Sequence, residues 1–519
     1  MTHPKYTLTS TTPRLTGAKL AITALALALG TFMQVLDSTI ANVSLPTICG
    51  DLGVSSESGT WVITAFAATN AVLVPLTGWL MMRFGIVRVF TAALLAFTVA
   101  SFLCGIAWNL PVLVAFRVLQ GAVSGPLIPG SQALLISVFP PHRRATALTI
   151  WSMTTMSAPV FGPVLGGYIS DNFYWGWIFF INLPIGLVAA VISWRALKTR
   201  ETPTRKLPID MWGLVLLTIW VFSLQTMLDL GKDLDWFHST TIVVLAICAV
   251  VGFAIWVVWE LTDARPVVDL SLFLNRNFAM GVLALSLGYG IFFANNVLLP
   301  LWLQTQMGYT ASWAGLVSAP AGLVAVALSP FVGRFKWDPR ITASVAFIAF
   351  ALDFHLRSQY APDSPFMTLQ LPLFIQGVGF ATLFVPLLNI MLDGIPAEKV
   401  PLASGLSNFA RIISGSFGAS IITTFWDRRE ALHQSRLAET IAVGSPSYDQ
   451  ALNSLKSLGM SQFQAIESIM HTVINQAYLQ STIDLFYFSS WAALAAMGLV
   501  WLTRRPKPPQ GPPIPPAGD

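Results

Sequence analysis

Leu36-Asp37-Ser38-Thr39-Ile40-Ala41-Asn42-Val43-Ser44-Leu45-Pro46 is the stretch that decides how this chain is read. It closes an apolar run from Leu20 to Pro46, and a helix of about 20 apolar residues is enough to cross a bilayer. A carboxylate inside such a helix is costly, so an acid retained there points to function. Asp37 therefore poses two questions: whether the rest of the chain belongs in a membrane, and which group could meet the acid.

Composition answers the first. Of 519 residues, 55% are hydrophobic and only 10% charged, whereas a soluble domain carries about 25% charged residues. The net charge of +5 does not mark a nucleic-acid binder, because the basic residues fall in short loops between apolar runs and form no patch. Cys49, Cys104 and Cys248 are isolated, which excludes a disulfide framework or thiolate metal site, and the six histidines lack metal-ligand spacing. No G-x-x-x-x-G-K-[ST] loop is present, so the chain itself is not expected to hydrolyse ATP. No nucleophile–base or metal constellation supports an enzyme.

Spanning segments are predicted at 20–46, 58–82, 88–107, 111–138, 145–170, 177–197, 209–229, 240–261, 277–303, 311–333, 341–358, 367–392, 401–426 and 484–503, giving an all-α polytopic membrane protein with 14 transmembrane helices. The basic leader Lys5, Arg14 and Lys19 resembles a signal peptide, but the run behind it is too long and no A-x-A-like site closes it, so it reads as an uncleaved first span. If the N-terminus is cytoplasmic, 21 of the 29 Lys and Arg residues lie on its side of the membrane. Six lie opposite (Lys232, Arg357, Arg428, Arg429, Arg436, Lys456), and Arg117 and Arg411 lie inside spans. This bias predicts both termini in the cytoplasm.

Features recur at an offset of about 255 residues: Trp61 and Trp313, Pro75/Gly78 and Pro330/Gly333, Gln120-Gly121 and Gln376-Gly377, Ala145/Leu148 and Ala403/Leu406. The order predicts a six-helix half over 1–200, a linker with two extra spans over 201–265, and a second half over 266–427 and 484–505. A long far-side loop (428–483) and a Pro-rich tail (506–519) complete the chain. Parallel repeats with a site at their midplane interface describe a secondary transporter. The loop has helical apolar spacing broken at Gly444-Ser445-Pro446-Ser447; a solvated hairpin and a docking surface both fit it.

Depth supplies a partner for the acid. Asp37 is 17 residues past Leu20, about 25 Å along an outward helix, and Arg117 is six residues past Pro111 on an inward one, about 9 Å down. In a core about 30 Å thick both fall in the outer third. Asp37 is then either a structural or solvated residue at the span's end, or a titrating carboxylate whose proton affinity is set by lost hydration and a nearby guanidinium. Arginine stays cationic in proteins, so the acid would be the member that exchanges the proton. In the fifth span, Ser157 to Ile169 (SAPVFGPVLGGYI) combines Pro159 and Pro163, which remove backbone donors, with Gly162, Gly166 and Gly167, which permit close helix approach. A generic kink and a hinge between the halves are both compatible.

These elements, together with Gly176 to Gly186 (GWIFFINLPIG), resemble motifs of the major facilitator superfamily, in particular its 14-span drug:proton antiporter branch of the EmrB/QacA type. The resemblance covers nearly the whole chain. It implies two six-helix halves plus two inserted helices, export of amphiphilic compounds in exchange for protons, and no cofactor beyond that coupling ion. It makes Arg117 the counterpart of the family's proton-coupling arginine, Pro159–Gly167 the antiporter motif, and Gly78, Arg83, Gly85 and Arg88 a cytoplasmic gate. It also implies a bacterial inner membrane, a periplasmic adaptor (a membrane fusion protein) and an outer-membrane channel. One departure stands out: the family's loop between spans 2 and 3 has an Asp where this chain has Met82, which puts any gating ion pair of that Asp in doubt.

Asn295, Asn296, Asp353, Gln376, Asn389 and Arg411 are candidate cavity residues, although interhelical hydrogen bonds account for such residues equally well. Asp353 and Arg357 are spaced to pair on one helix face. The reading is a proton-driven exporter of hydrophobic or amphiphilic molecules, with a dedicated exporter of long-chain fatty acids and a non-transporting membrane scaffold as alternatives. No nucleic-acid partner is expected.

Overall fold

Apolar runs of this length have one economical backbone solution in lipid, because only a helix satisfies every N–H and C=O within its own segment. The computed structural model describes residues 15–140, 143–204, 210–263, 266, 268–332, 337–396, 399–441 and 445–505, and all its regular structure is helical. The Pro-rich tail at 506–519 lies outside the described residues. Among the described residues, twelve helices are long and apolar enough to cross a membrane: α1 (Gly17–Leu52), α2 (Trp61–Phe84), α3 (Ile86–Gly105), α4 (Leu110–Val138), α6 (Trp177–Arg200), α7 (Met211–Leu230), α8 (Thr240–Thr262), α9 (Arg276–Thr305), α10 (Ala311–Val332), α11 (Pro339–Arg357), α12 (Phe366–Met391) and α14 (Gln462–Trp501). Two more complete the fourteen: α5 (Arg144–Asn172) and α13 (Val400–Thr440). Both are richer in Ser, Thr and Gly, and their helices pack among the others on several sides.

The two halves repeat one packing pattern. In the first, α1 packs on α5, α2 on α4, and α3 on α6; in the second, α9 packs on α13, α10 on α12, and α11 on α14. The glycines explain one of these matches. A Cβ on Gly121 would press on the Phe66 carbonyl of α2, and one on Gly377 would press on the Ala321 carbonyl of α10. The repeated Gln-Gly pair thus marks a close helix crossing at the matching place in each half.

The halves meet along α5–α10 and α2–α13. On the side away from the chain ends, Ser312 donates to Asp171 (3.0 Å), and Gly315 sits so close to Pro163 and Val164 that a Cβ would meet backbone at 2.9–3.0 Å. On the side of the chain ends, Gly78 packs directly on Leu402. The inserted α7 lies against both α2 and α13. Trp220 meets Phe409 edge-on at 5.8 Å, Ser420 donates to the Leu228 carbonyl (2.7 Å), Trp236 Nε1 donates to Thr424 (3.1 Å), and Lys232 pairs with Asp427 (3.0 Å). Helix α8 exposes Val244, Ile247, Val250, Val251, Ile255 and Val258, a surface suited to lipid.

The segment expected as a long loop, 428–483, is mostly helical: α13 continues to Thr440, a short helix covers Pro446–Ser457, and α14 already begins at Gln462. Apolar content ends near Trp426, but hydrogen bonding does not. Trp426 Nε1 donates to Thr482 (2.8 Å), Ser481 donates to the Trp426 carbonyl (2.6 Å), and Arg429 and His433 both reach Asp484. Of the predicted break, Gly444 lies outside the described residues, as do 442 and 443 before it.

Candidate functional site: a buried ion pair in the N-terminal half

Asp37 and Arg117 are in direct contact, with Nη1 donating to Oδ2 at 2.6 Å and side chains 0% and 1% exposed. A charge pair so far from water depends on further hydrogen bonds to its remaining lone pairs and protons, and both members make them here. Asp37 Oδ1 accepts from Gln120 Nε2 (2.9 Å) and Asn182 Nδ2 (2.8 Å). Arg117 also donates from Nε to the Val62 carbonyl (2.9 Å) and from Nη1 to Gln120 Oε1 (2.8 Å). Its guanidinium lies 4.2 Å from the centre of the Phe66 ring. Ser101 accepts from Asn182 (2.9 Å) and donates to the Phe179 carbonyl. Five helices, α1, α2, α3, α4 and α6, thus converge on one carboxylate.

Three of these partners were not singled out in sequence as site residues. Gln120 stands out in sequence only as a repeat marker and motif neighbour of Arg117, Asn182 only within a quoted motif, and Ser101 not at all. Their one common signal is a polar side chain in an otherwise apolar run, which the chain offers in many places.

The glycine-rich face of α5 sits beside the pair. A Cβ on Gly162 would collide with Thr39, and one on Gly166 would crowd Ile40 at 3.3–3.4 Å, so α5 rides on the turn of α1 that follows Asp37. Pro163 and Val164 receive Gly315 of α10 from the other half. Gly167 is buried and Pro159 half-buried; α5 is continuous through both prolines. This face therefore contacts the acid's own helix on one side and the second half on the other.

Among the residues expected to form a cytoplasmic gate, Gly78 packs on Leu402 of α13, and Arg83 lies over Trp79 and Phe84 (5.3 and 5.6 Å). Gly85 has φ +95° and has the Glu201 carboxylate packed on it. That carboxylate accepts the backbone N–H groups of Val87 and Arg88 (both 3.0 Å) at the start of α3, with the Arg88 side chain 4.0 Å away. Acid at a helix N-terminus is favourable. With Met82 in the loop, the acid comes from Glu201, behind α6.

The cavity candidates divide. Asn295 is buried and donates only within its own helix, to Ile291 (2.7 Å), leaving its Oδ1 without a partner; Gln376 is buried with Nε2 unpartnered. Asn296 and Asn389 are half-buried. Arg411 is 4% exposed and faces Tyr289. Asp353 does not join them: it is held by Arg357 of its own helix in a two-pronged pair (2.8 and 2.7 Å), and that helix, α11, packs on α12 and α14.

Repeated six-helix halves, the first enclosing a buried carboxylate–guanidinium pair, define a secondary transporter. The chain belongs to the Major Facilitator Superfamily, whose model matches residues 27–419. It is 49% identical to the multidrug export protein EmrB of Escherichia coli (strain K12) over 495 residues, 95% of this chain and 97% of that one. It is 47% identical to the fatty acid resistance protein FarB of Neisseria gonorrhoeae over 496 residues, 95% and 98% of the two chains. Its fold resembles the solved human organic anion transporter MFSD10 (TETRAN), with TM-score 0.59 and 13% identity over 93% of this chain and 100% of that one.

Proposed function

We propose that this chain is a proton-driven exporter of hydrophobic and amphiphilic compounds in a bacterial inner membrane, with both termini cytoplasmic. The observation that carries the reading is the Asp37–Arg117 pair (2.6 Å), buried and held by Gln120, Asn182 and the Val62 carbonyl, one helical turn from the α5 face that meets the other half. A proton arriving from outside neutralises Asp37 and releases Arg117 and Asn182 from it. The altered α1–α5 packing then favours the opposite conformation, and proton release to the cytoplasm restores the pair. A bias of a few kcal/mol suffices to exchange two such states. Protons are the coupling ion and no cofactor takes part.

The test is efflux from inverted vesicles driven by an imposed pH gradient, with Asp37→Asn and Arg117→Ala. Coupled export is expected to fall at least tenfold in both; full coupled export by either variant sinks the mechanism. The kinship with FarB supports a second reading, export of long-chain fatty acids by the same cycle, which competition between lipophilic cations, anions and fatty acids in that assay separates.

The far-side extension of α13, Pro446–Ser457 and α14 is the surface we assign to a periplasmic adaptor, itself joined to an outer-membrane channel. Between these helices lies an apolar cleft of about 290 Å³ lined by Ala438, Ile441, Tyr448, Ile466, Met470 and Val473 among others. Ile469→Asp within the cleft should leave vesicle transport intact and abolish cellular resistance. Unchanged resistance removes this surface from the docking role.

A further inference from the structure

Arg411 is a cation without an anion. It lies on α13, 11 residues past Val400, about 17 Å along and so near the middle of the membrane. It is 4% exposed. A guanidinium carries five N–H donors, yet this one makes a single hydrogen bond, Nε to Asn408 Oδ1 at 3.3 Å. Its other contact is the Tyr289 ring, 4.6 Å from the guanidinium carbon to the centroid. Among the described residues no carboxylate pairs with it. The contrast with Arg117 and Arg357 is direct, since each of those buried arginines holds an aspartate at 2.6–2.7 Å.

The surroundings continue from that charge as an apolar track. Gly415, one turn beyond Arg411, would place a Cβ 3.1 Å from Tyr289 and 3.7 Å from Phe293, so the glycine is what lets these stacked rings (5.8 Å) lie against α13. Tyr289 meets Phe384 edge-on at 6.4 Å, and Phe384 meets Trp151 at 6.3 Å. The rings lead from a cation in the C-terminal half to the N-terminal half, across the boundary that must open and close. We propose that Arg411 receives the carboxylate of an acidic amphiphile and that Tyr289, Phe293, Phe384 and Trp151 take its apolar tail. The bidentate fork of arginine matches a carboxylate, and a desolvated cation over an aromatic face remains available to an incoming anion. This specificity role rests on the exporter reading above.

The experiment uses the full-length protein in proteoliposomes under an imposed pH gradient, with oleate and tetraphenylphosphonium as probes. The quantity read is the ratio of their transport rates, which does not depend on how much protein is folded. The ratio is expected to fall at least tenfold in Arg411→Gln and to recover in part in Arg411→Lys, which keeps the charge and loses the fork. An unchanged ratio in Arg411→Gln overturns the assignment. A second measurement needs no variant: oleate should compete with transport by the wild-type protein at least tenfold better than oleyl alcohol, and equal competition overturns it. If the wild type moves neither probe, the exporter reading falls; if it moves tetraphenylphosphonium and ignores oleate, that reading stands and only the Arg411 assignment falls.

Discussion

Arg117 illustrates how much one residue carries at this depth. Removing one member of a buried pair leaves an uncompensated charge and costs about 3–5 kcal/mol, whereas replacing both members together is often close to neutral. Arg117→Ala should therefore lower the midpoint of thermal unfolding in detergent far more than the double change Asp37→Asn/Arg117→Gln. A double variant as unstable as the single one would mean that the cluster stabilises the fold by more than charge neutrality. The acid and the arginine were legible because charges are rare in spans and helix rise fixes their depth. Asn182, Gln120 and Ser101 were not, because an amide or hydroxyl in an apolar run has the same sequence signature whether it holds a carboxylate or merely a neighbouring carbonyl.

Among elements, α5 does the most. Its glycines pack on α1 and its Pro163–Val164 segment on Gly315 of α10, so a change on either side of the helix acts on a different interface. Gly162→Val should be a stability lesion, because it overpacks a contact inside one half, at about 1–3 kcal/mol. Gly315→Val should instead push the halves apart on the side away from the chain ends and shift the population toward the state open there. Labels on α5 and α10 read by pulsed electron resonance would lengthen in distance; an unchanged distribution argues that this interface does not close as described. The sequence repeat paired Gly121 with Gly377, which the fold turns into matched crossings, but gave no sign that the repeat is chemically one-sided. The positions of the second half that correspond to Asp37 and Arg117 fall at Phe292 and Leu373, and Phe292 is buried against Phe380 and Phe350. The extent of α13 and α14 was also hidden, since hydropathy marks where lipid ends and a helix stops only where its hydrogen bonds do.

For the molecule as a whole, the proposed proton site at Asp37–Arg117 and carboxylate site at Arg411 would together set the electrical character of the cycle. If one proton enters for each acidic amphiphile expelled, two elementary charges cross per turnover; if the substrate is a monovalent cation, none does. A membrane potential contributes about 2.3 kcal/mol per charge per 100 mV, so ~100 mV alone, with no pH gradient, offers about 4.6 kcal/mol to the first exchange and nothing to the second. Potassium–valinomycin potentials in proteoliposomes should thus accelerate oleate export and leave tetraphenylphosphonium export unaffected. Equal responses would mean a different proton stoichiometry for the two substrates.

Helix α13 runs unbroken for 41 residues, from the Gly78 contact through Arg411 to the extension beyond Trp426. At 1.5 Å per residue it is a rod of about 60 Å, and stiff rods convert rotation into displacement. A tilt of ~10° about its middle, of the kind that accompanies rigid-body exchange between two states, carries its far tip about 5 Å. If substrate seats on Arg411 as proposed, the same rod would carry that event as a displacement outside the membrane, where a protein gripping the tip would be timed by the transport cycle itself.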